Sequence, residues 1–236
     1  MGQPEQTRFL PSRHAFRFAN SWPDEPAVSI PTPLRRVGIG NAARGLCGGM
    51  VFGALDYWHA GTEPPASLPA PGEPLFRFIV WRLIQSWHIP TGVARYYYWM
   101  RLPDGDAVRH VAGPILLRRR GLQSRSISGQ WPRVRAQLDA GHPAALGIVT
   151  VASANPLQLG HNHQVLAYAY QLDATQVTLQ VYDPNSGPTD DVHIQFDIAA
   201  PGAGFTHSVN IGRPIRAFFL TPYSAASPPG SVRRRR

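Results

Sequence analysis

Cys47 is the only cysteine of this 236-residue chain. It stands in Gly45-Leu46-Cys47-Gly48-Gly49-Met50, directly ahead of the apolar run Val51-Phe52-Gly53-Ala54-Leu55-Asp56-Tyr57-Trp58. A lone thiol cannot form a disulfide within its own chain, so packing or chemistry must account for it. The glycines allow close approach of another group, and the apolar run predicts a helix that starts at or just after the cysteine. A helix N-terminus carries partial positive charge and unpaired N–H donors, which lower a thiol pKa and stabilise an oxyanion beside it. The same position also suits a small buried hydrophobe, because free cysteine is among the most buried residue types.

A base for such a thiol is offered by His163, which opens the segment His163-Gln164-Val165-Leu166-Ala167-Tyr168-Ala169-Tyr170 after the turn Leu159-Gly160-His161-Asn162. The next predicted strand ends in Val181-Tyr182-Asp183-Pro184-Asn185-Ser186-Gly187. A hairpin turning around Asp173-Ala174 sets 163 and 183 opposite each other, bringing Asp183, or Asn185 just beyond it, within reach of the imidazole. A thiol, an imidazole and an acid or amide that orients the ring make up a nucleophile, its base and its orienter. Each member also has a plainer role: His163 as a strand-end histidine, and Asp-Pro-Asn-Ser-Gly as a good turn sequence.

Elements must position these groups. The six prolines of residues 1–35 predict an extended arm without regular structure. A helix is expected over 47–60, then a proline-rich exposed loop at 61–74. Leu75, Phe76, Ile79, Val80, Leu83, Ile84 and Trp87 recur at helical spacing, predicting a second, amphipathic helix over 75–88. Tyr96, Tyr97, Tyr98 and Trp99 suit the core, or one wall of a cleft. A third helix is expected from Ser128 or Gly129 through Ala140, with Pro132 in its first turn and Gly141 stopping it. Beyond Gly141 the short apolar and β-branched runs 144–151, 163–171, 176–182, 192–198 and 214–220 predict an antiparallel sheet. Helices first and strands second give an α+β class.

A cysteine followed by two glycines opening a helix, then helix-Ala-Gly-x-Pro-strand over Leu138 to Val149, then a histidine-led strand, then a strand ending in Asp-Pro resembles the papain-like cysteine peptidase superfamily. The resemblance is closest to the bacteriocin leader-processing peptidases and covers roughly residues 41–220 in element order. It implies a papain-like fold in which Cys47 is the nucleophile, His163 the base and Asp183 the orienting residue. In that family an amide six residues before the cysteine helps to build the oxyanion hole. Asn41 holds that offset here, one methylene shorter than the family's glutamine. The implied activity is hydrolysis of an amide or peptide bond, or acyl transfer, through an acyl-enzyme.

Composition bounds the rest. The net charge is +9, and all 23 basic residues are arginine. Scattered arginines without a recognition motif argue against a nucleic-acid binder, and the terminal Arg233 to Arg236 read as a solvated tail. Lack of lysine removes the usual ubiquitin acceptor, which would suit an effector or toxin acting in a foreign cell. No apolar stretch approaches the roughly 18 to 20 residues of a membrane span, and no signal peptide is visible. The expected location is therefore cytoplasmic, or outside the cell by a route that needs no such signal. The expected organisation is an arm at 1–35, a hydrolase domain at 36–224 and a disordered basic tail at 225–236. No cofactor is implied. His161, His163 and His193 make a poor zinc set without cysteine or carboxylate at ligand spacing. Two function classes stand: a cysteine-dependent hydrolase with a peptide or amide substrate, and a catalytically silent version of the fold used for binding.

Overall fold

The apolar runs on either side of Gly141 build the two halves of an α+β architecture, helices first and an antiparallel sheet second. The computed structural model describes residues 5–22, 26–31, 36–41, 46–112 and 115–231, and for 5–6, 26–31, 36–41, 109–112 and 115–118 the description is of the backbone alone. In chain order the elements are β1 (Glu5–Gln6), α1 (Pro11–His14), β2 (Pro26–Pro31), β3 (Arg36–Asn41), α2 (Cys47–Ala60), α3 (Pro74–Ser86) and α4 (Thr91–Met100). They continue with β4 (Ala107–Ala112), β5 (Ile115–Arg119), α5 (Leu122–Arg125), a π turn at Ser126–Gln130, α6 (Trp131–Asp139) and β6 (Ala144–Val149). The chain closes with β7 (His163–Asp173), β8 (Gln176–Tyr182), β9 (His193–Asp197), β10 (Thr206–His207) and β11 (Ala217–Leu220).

The main sheet runs β10-β9-β8-β7-β6-β11, and β1 pairs with the part of β7 that β6 does not reach. Both faces are covered. On one face α2, α3 and the arm residues Phe9, Phe16 and Trp22 pack on Ala145, Leu166, Tyr168 and Tyr182. On the other, Trp131, Val134 and Leu138 of α6 pack on Leu146, Ile148, Val165, Val177 and Val181. Residues alternating along β6, β7 and β8 thus enter different cores, which is why all of β6 and residues 163–170 of β7 are buried.

Two glycines let α2 sit deep in this arrangement. A Cβ at Gly49 would fall 2.0 Å from the backbone oxygen of Ile79 in α3, and one at Gly48 would fall 2.4 Å from Ser86 Oγ and 2.7 Å from Gln164 Oε1. At Gly49, which faces backbone, only glycine permits that approach, whereas at Gly48 the side chains of Ser86 and Gln164 would have to move. At the opposite end Gly61, in the left-handed region at φ 64°, stops the helix.

Several expectations need correction. The prolines of the N-terminal arm do not preclude regular structure: Pro11 opens α1, where a missing N–H costs nothing, and Pro26 and Pro31 sit at the two ends of β2. β2 pairs with β3 across the boundary expected at 35, and the hairpin of β4 with β5 had no predicted counterpart. The third helix begins at Leu122 and runs through the π turn into α6, keeping Pro132 in the first turn. The β7–β8 hairpin turns on Ala174-Thr175 instead of Asp173-Ala174, with Asp173 paired to Gln176 and Ala174 at φ 50°. Residues 225–231 include contacts to α2: the Ala226 N–H donates to Asp56 Oδ1 and the Tyr57 hydroxyl donates to the Pro229 carbonyl. Arg233 to Arg236 lie outside the described residues. Among the described residues no helix is long and apolar enough to cross a membrane.

Candidate active site

Cys47 is the first residue of α2, with Leu46 at the N-cap and no acidic side chain in the first turn. His163 is the first residue of β7, held by its carbonyl, which accepts from the Tyr96 hydroxyl at 3.1 Å. Asp183 follows the last residue of β8 and is fully buried.

These three side chains meet. Cys47 Sγ lies 3.0 Å from His163 Nδ1, and His163 Nε2 lies 2.8 Å from Asp183 Oδ1. The ring is thereby fixed at both nitrogens, one toward sulfur and one toward carboxylate. The register that would set 163 directly opposite 183 is not the one the sheet has. A bulge between Ala167 and Ala169 shifts the ladder, which ends with Leu166 across from Tyr182, so that 183 continues it opposite 165. The carboxylate reaches His163 diagonally, as long side chains on neighbouring strands can.

The electrostatics follow from burial and pairing. Burial alone would push the His163 pKa down, but the charges of Cys47 and Asp183 and the hydrogen bonds to both outweigh it, so the pKa stands well above the usual 6.5. Burial would likewise raise Asp183. His163, the Asn185 N–H donating to Oδ1 at 2.8 Å, and His207 reverse that and hold it below the usual 3.8. The imidazole is therefore poised as a cation between two acceptors.

Asn185, the alternative orienter, takes another place. Its side-chain oxygen accepts from Asn20 Nδ2 at 3.1 Å and lies 3.8 Å from Cys47 Sγ. Asn20 was not singled out in the sequence, yet its Nδ2 stands 3.3 Å from Cys47 Sγ and the residue is 7% exposed. The arm delivers it: the Asn20 backbone N–H donates to the Pro184 carbonyl at 2.9 Å, and ring contacts of Phe16 with Phe18 and Tyr57, and of Phe18 with Trp22, anchor the neighbouring chain. Nothing in the sequence around Asn20 marks it, and the offset of six residues before the cysteine points to Asn41 instead. Asn41 ends β3, and its side chain lies outside the described residues.

A second histidine also reaches the carboxylate, His207 Nε2 being 3.5 Å from Asp183 Oδ2. The site opens into a cavity of about 460 Å³ whose walls include Thr150, Asn162, Asn185, Ser186, Asn210 and Arg213. Residues 160–162, in the turn before β7, also line it. Loop 61–74 accepts the Trp22 indole N–H at the Pro69 carbonyl, and Tyr96 and Trp99 are buried against Phe219. His161 lines the cavity outside the triad, and His193 Nδ1 faces the Asp191 carbonyl. Among the described residues no group of histidine, cysteine or carboxylate side chains is arranged to hold a metal ion.

No protein-family profile, curated protein or solved structure matches the chain.

Proposed function

We propose that this protein is a cysteine-dependent hydrolase of amide or peptide bonds, working through a covalent acyl-enzyme on a papain-like variant of the α+β class. One observation carries the reading: a thiol at a helix N-terminus, an imidazole and a carboxylate form a continuous chain of contacts at 3.0 and 2.8 Å. A structural cysteine would need no histidine at its sulfur, and a satisfied strand-end histidine would need no buried carboxylate.

In this reading each residue takes one step. The Cys47 thiolate attacks the carbonyl carbon, forming the C–S bond as the carbonyl electron pair moves to oxygen. The Asn20 Nδ2–H, 3.3 Å from the sulfur, and the backbone N–H of Cys47, at the start of α2, would donate to that oxyanion. Collapse of the tetrahedral species breaks the C–N bond, and His163 Nδ1–H protonates the leaving amine. Water, deprotonated by the now neutral His163, then attacks the thioester and releases the acid and the thiolate. Asp183 keeps the ring in position and compensates its charge throughout. An amine in place of water gives transfer instead of hydrolysis. The polar walls of the cavity beside His163 and Asn185 suit a substrate rich in hydrogen-bonding groups.

The deciding experiment is iodoacetamide alkylation of Cys47 against pH, read by intact mass, in the native protein and in His163→Ala. A single thiol makes the adduct unambiguous. Fast labelling that depends on His163 supports the hydrolase; equal, slow labelling in both proteins replaces it with a binding module.

A further inference from the structure

A second cavity lies at the other end of α2. His59, one residue before the end of that helix and 12 residues beyond Cys47, stands roughly 18 Å along the axis from the thiol at 1.5 Å per residue. The cavity encloses about 430 Å³, and His59, Arg95, Arg133, His142 and Thr221 are among its lining residues. Among the described residues no carboxylate lines it.

Four cationic or titratable groups thus converge without a counter-charge. The Arg95 guanidinium donates to the Leu220 carbonyl at 3.2 Å and lies over the Phe219 ring, so it is held in place while its charge is not matched. The ion pairs among the described residues engage other arginines: Arg17, Arg82, Arg135 and Arg216. Like-charge crowding shows at His59, whose pKa is held down first by burial and then by His142. Some of this charge complements the carbonyl ends of α2 and α6, but Arg133 is in the first turn of α6 and gains nothing from that source.

An independent observation points to a missing partner. Thr221 is only 5% exposed, and its hydroxyl oxygen is buried without a hydrogen-bond partner. Buried hydroxyls are ordinarily satisfied, and a site lining a cavity can be satisfied by what fills it. The Tyr223 ring, stacked on His59 at 5.6 Å, supplies a flat apolar wall beside these polar groups.

We propose that this cavity binds the phosphate group of a small molecule. Guanidinium forks match the oxygens of a tetrahedral anion, and a dianion neutralises more of the four basic groups than a carboxylate would. The volume exceeds that of a bare phosphate ion and leaves room for an organic moiety against Tyr223. This assignment is independent of the chemistry proposed for Cys47.

The test is calorimetric titration of the full chain with inorganic phosphate and with phenyl phosphate, against sodium chloride at matched ionic strength. Arg133→Gln and Arg133→Gln/His142→Gln serve as variants, since both side chains are at exposed positions and their loss leaves the core intact. Saturable binding by the native protein, weakened at least tenfold in Arg133→Gln and further in the double variant, is expected. Tighter phenyl phosphate would identify an organic ester as the occupant; equal affinity would identify free phosphate. Absence of saturable binding for both probes, or binding undiminished in the double variant, overturns the proposal.

Discussion

Asp183 is held between two imidazoles: His163 Nε2 lies 2.8 Å from Oδ1, and His207 Nε2 lies 3.5 Å from Oδ2. The Val209 N–H donates to His207 Nδ1 at 3.2 Å, which places the His207 proton on Nε2, toward the carboxylate. Burial lowers the His207 pKa from 6.5 and outweighs the opposing pull of Asp183, so the ring is neutral at pH 7. It acts as a directed dipole, at a separation longer than a good hydrogen bond.

His207→Phe should therefore loosen Asp183 and slow Cys47 alkylation about tenfold at pH 7, the lower end for a hydrogen bond to a charged group. His207→Gln, which can present an N–H in the same direction, should recover most of the rate. In an Asp183→Asn background the two substitutions should differ little. Full activity in His207→Phe would show that the second ring only fills space.

The Asp183–His163 pair exists only while the acid is ionised and the ring protonated. Asp183 has its folded pKa depressed, so its contribution is present above 3.8 and fades as pH falls through the lower folded value. The His163 pKa is raised, so its contribution is complete below 6.5 and fades as pH rises through the higher folded value. The difference in melting temperature between the native protein and Asp183→Asn should thus be largest between pH 4 and 6.5 and shrink on both sides. A difference that does not vary with pH would mean the carboxylate acts by shape alone.

Asn20→Ala separates oxyanion support from thiol activation. Turnover of an amide substrate should fall by about 10²- to 10³-fold, the usual cost of one oxyanion donor. Alkylation, which builds no oxyanion, should change by less than about tenfold. Equal losses in both assays would instead place Asn20 in the activation of the sulfur.

A buried ion pair fixes the C-terminal segment. Arg82 Nε lies 2.7 Å from Asp56 Oδ2, and Asp56 Oδ1 also accepts from the Tyr223 hydroxyl at 2.7 Å and the Ala226 N–H at 2.8 Å. Arg82→Met leaves the carboxylate buried without its cation and should cost about 3 to 5 kcal/mol by chemical denaturation. Adding Asp56→Leu should restore part of that loss, because the stranded charge is gone. An exposed pair would show neither effect.

The local chemistry of the site could be read from the chain, whereas its three-dimensional closure could not. Cys47, His163 and Asp183 stand at a helix start, a strand start and a strand end, three places where composition changes sharply. The Ala167–Ala169 bulge left no such mark, because Ala167-Tyr168-Ala169-Tyr170 alternates like any regular strand. Asn20 was hidden for another reason: its placement depends on aromatic packing and one backbone bond to Pro184, both tertiary. Gly48 and Gly49 were visible as letters, but their tolerance became clear only from Ile79 and Gln164 opposite them. Gly49→Ala should accordingly unfold or greatly destabilise the protein by forcing α2 off α3, with melting temperature as the measure.

The site draws on residues from nearly the whole length of the chain, with Asn20 and Asn185 in contact across 165 positions. A ribosome makes Cys47 before His163, and 116 residues separate the two. At about 5 to 20 residues per second, that interval is roughly 6 to 23 s. Throughout it the nascent chain carries neither the imidazole of His163 nor the carboxylate of Asp183, so under the proposed function the thiol is made well before the groups that would activate it.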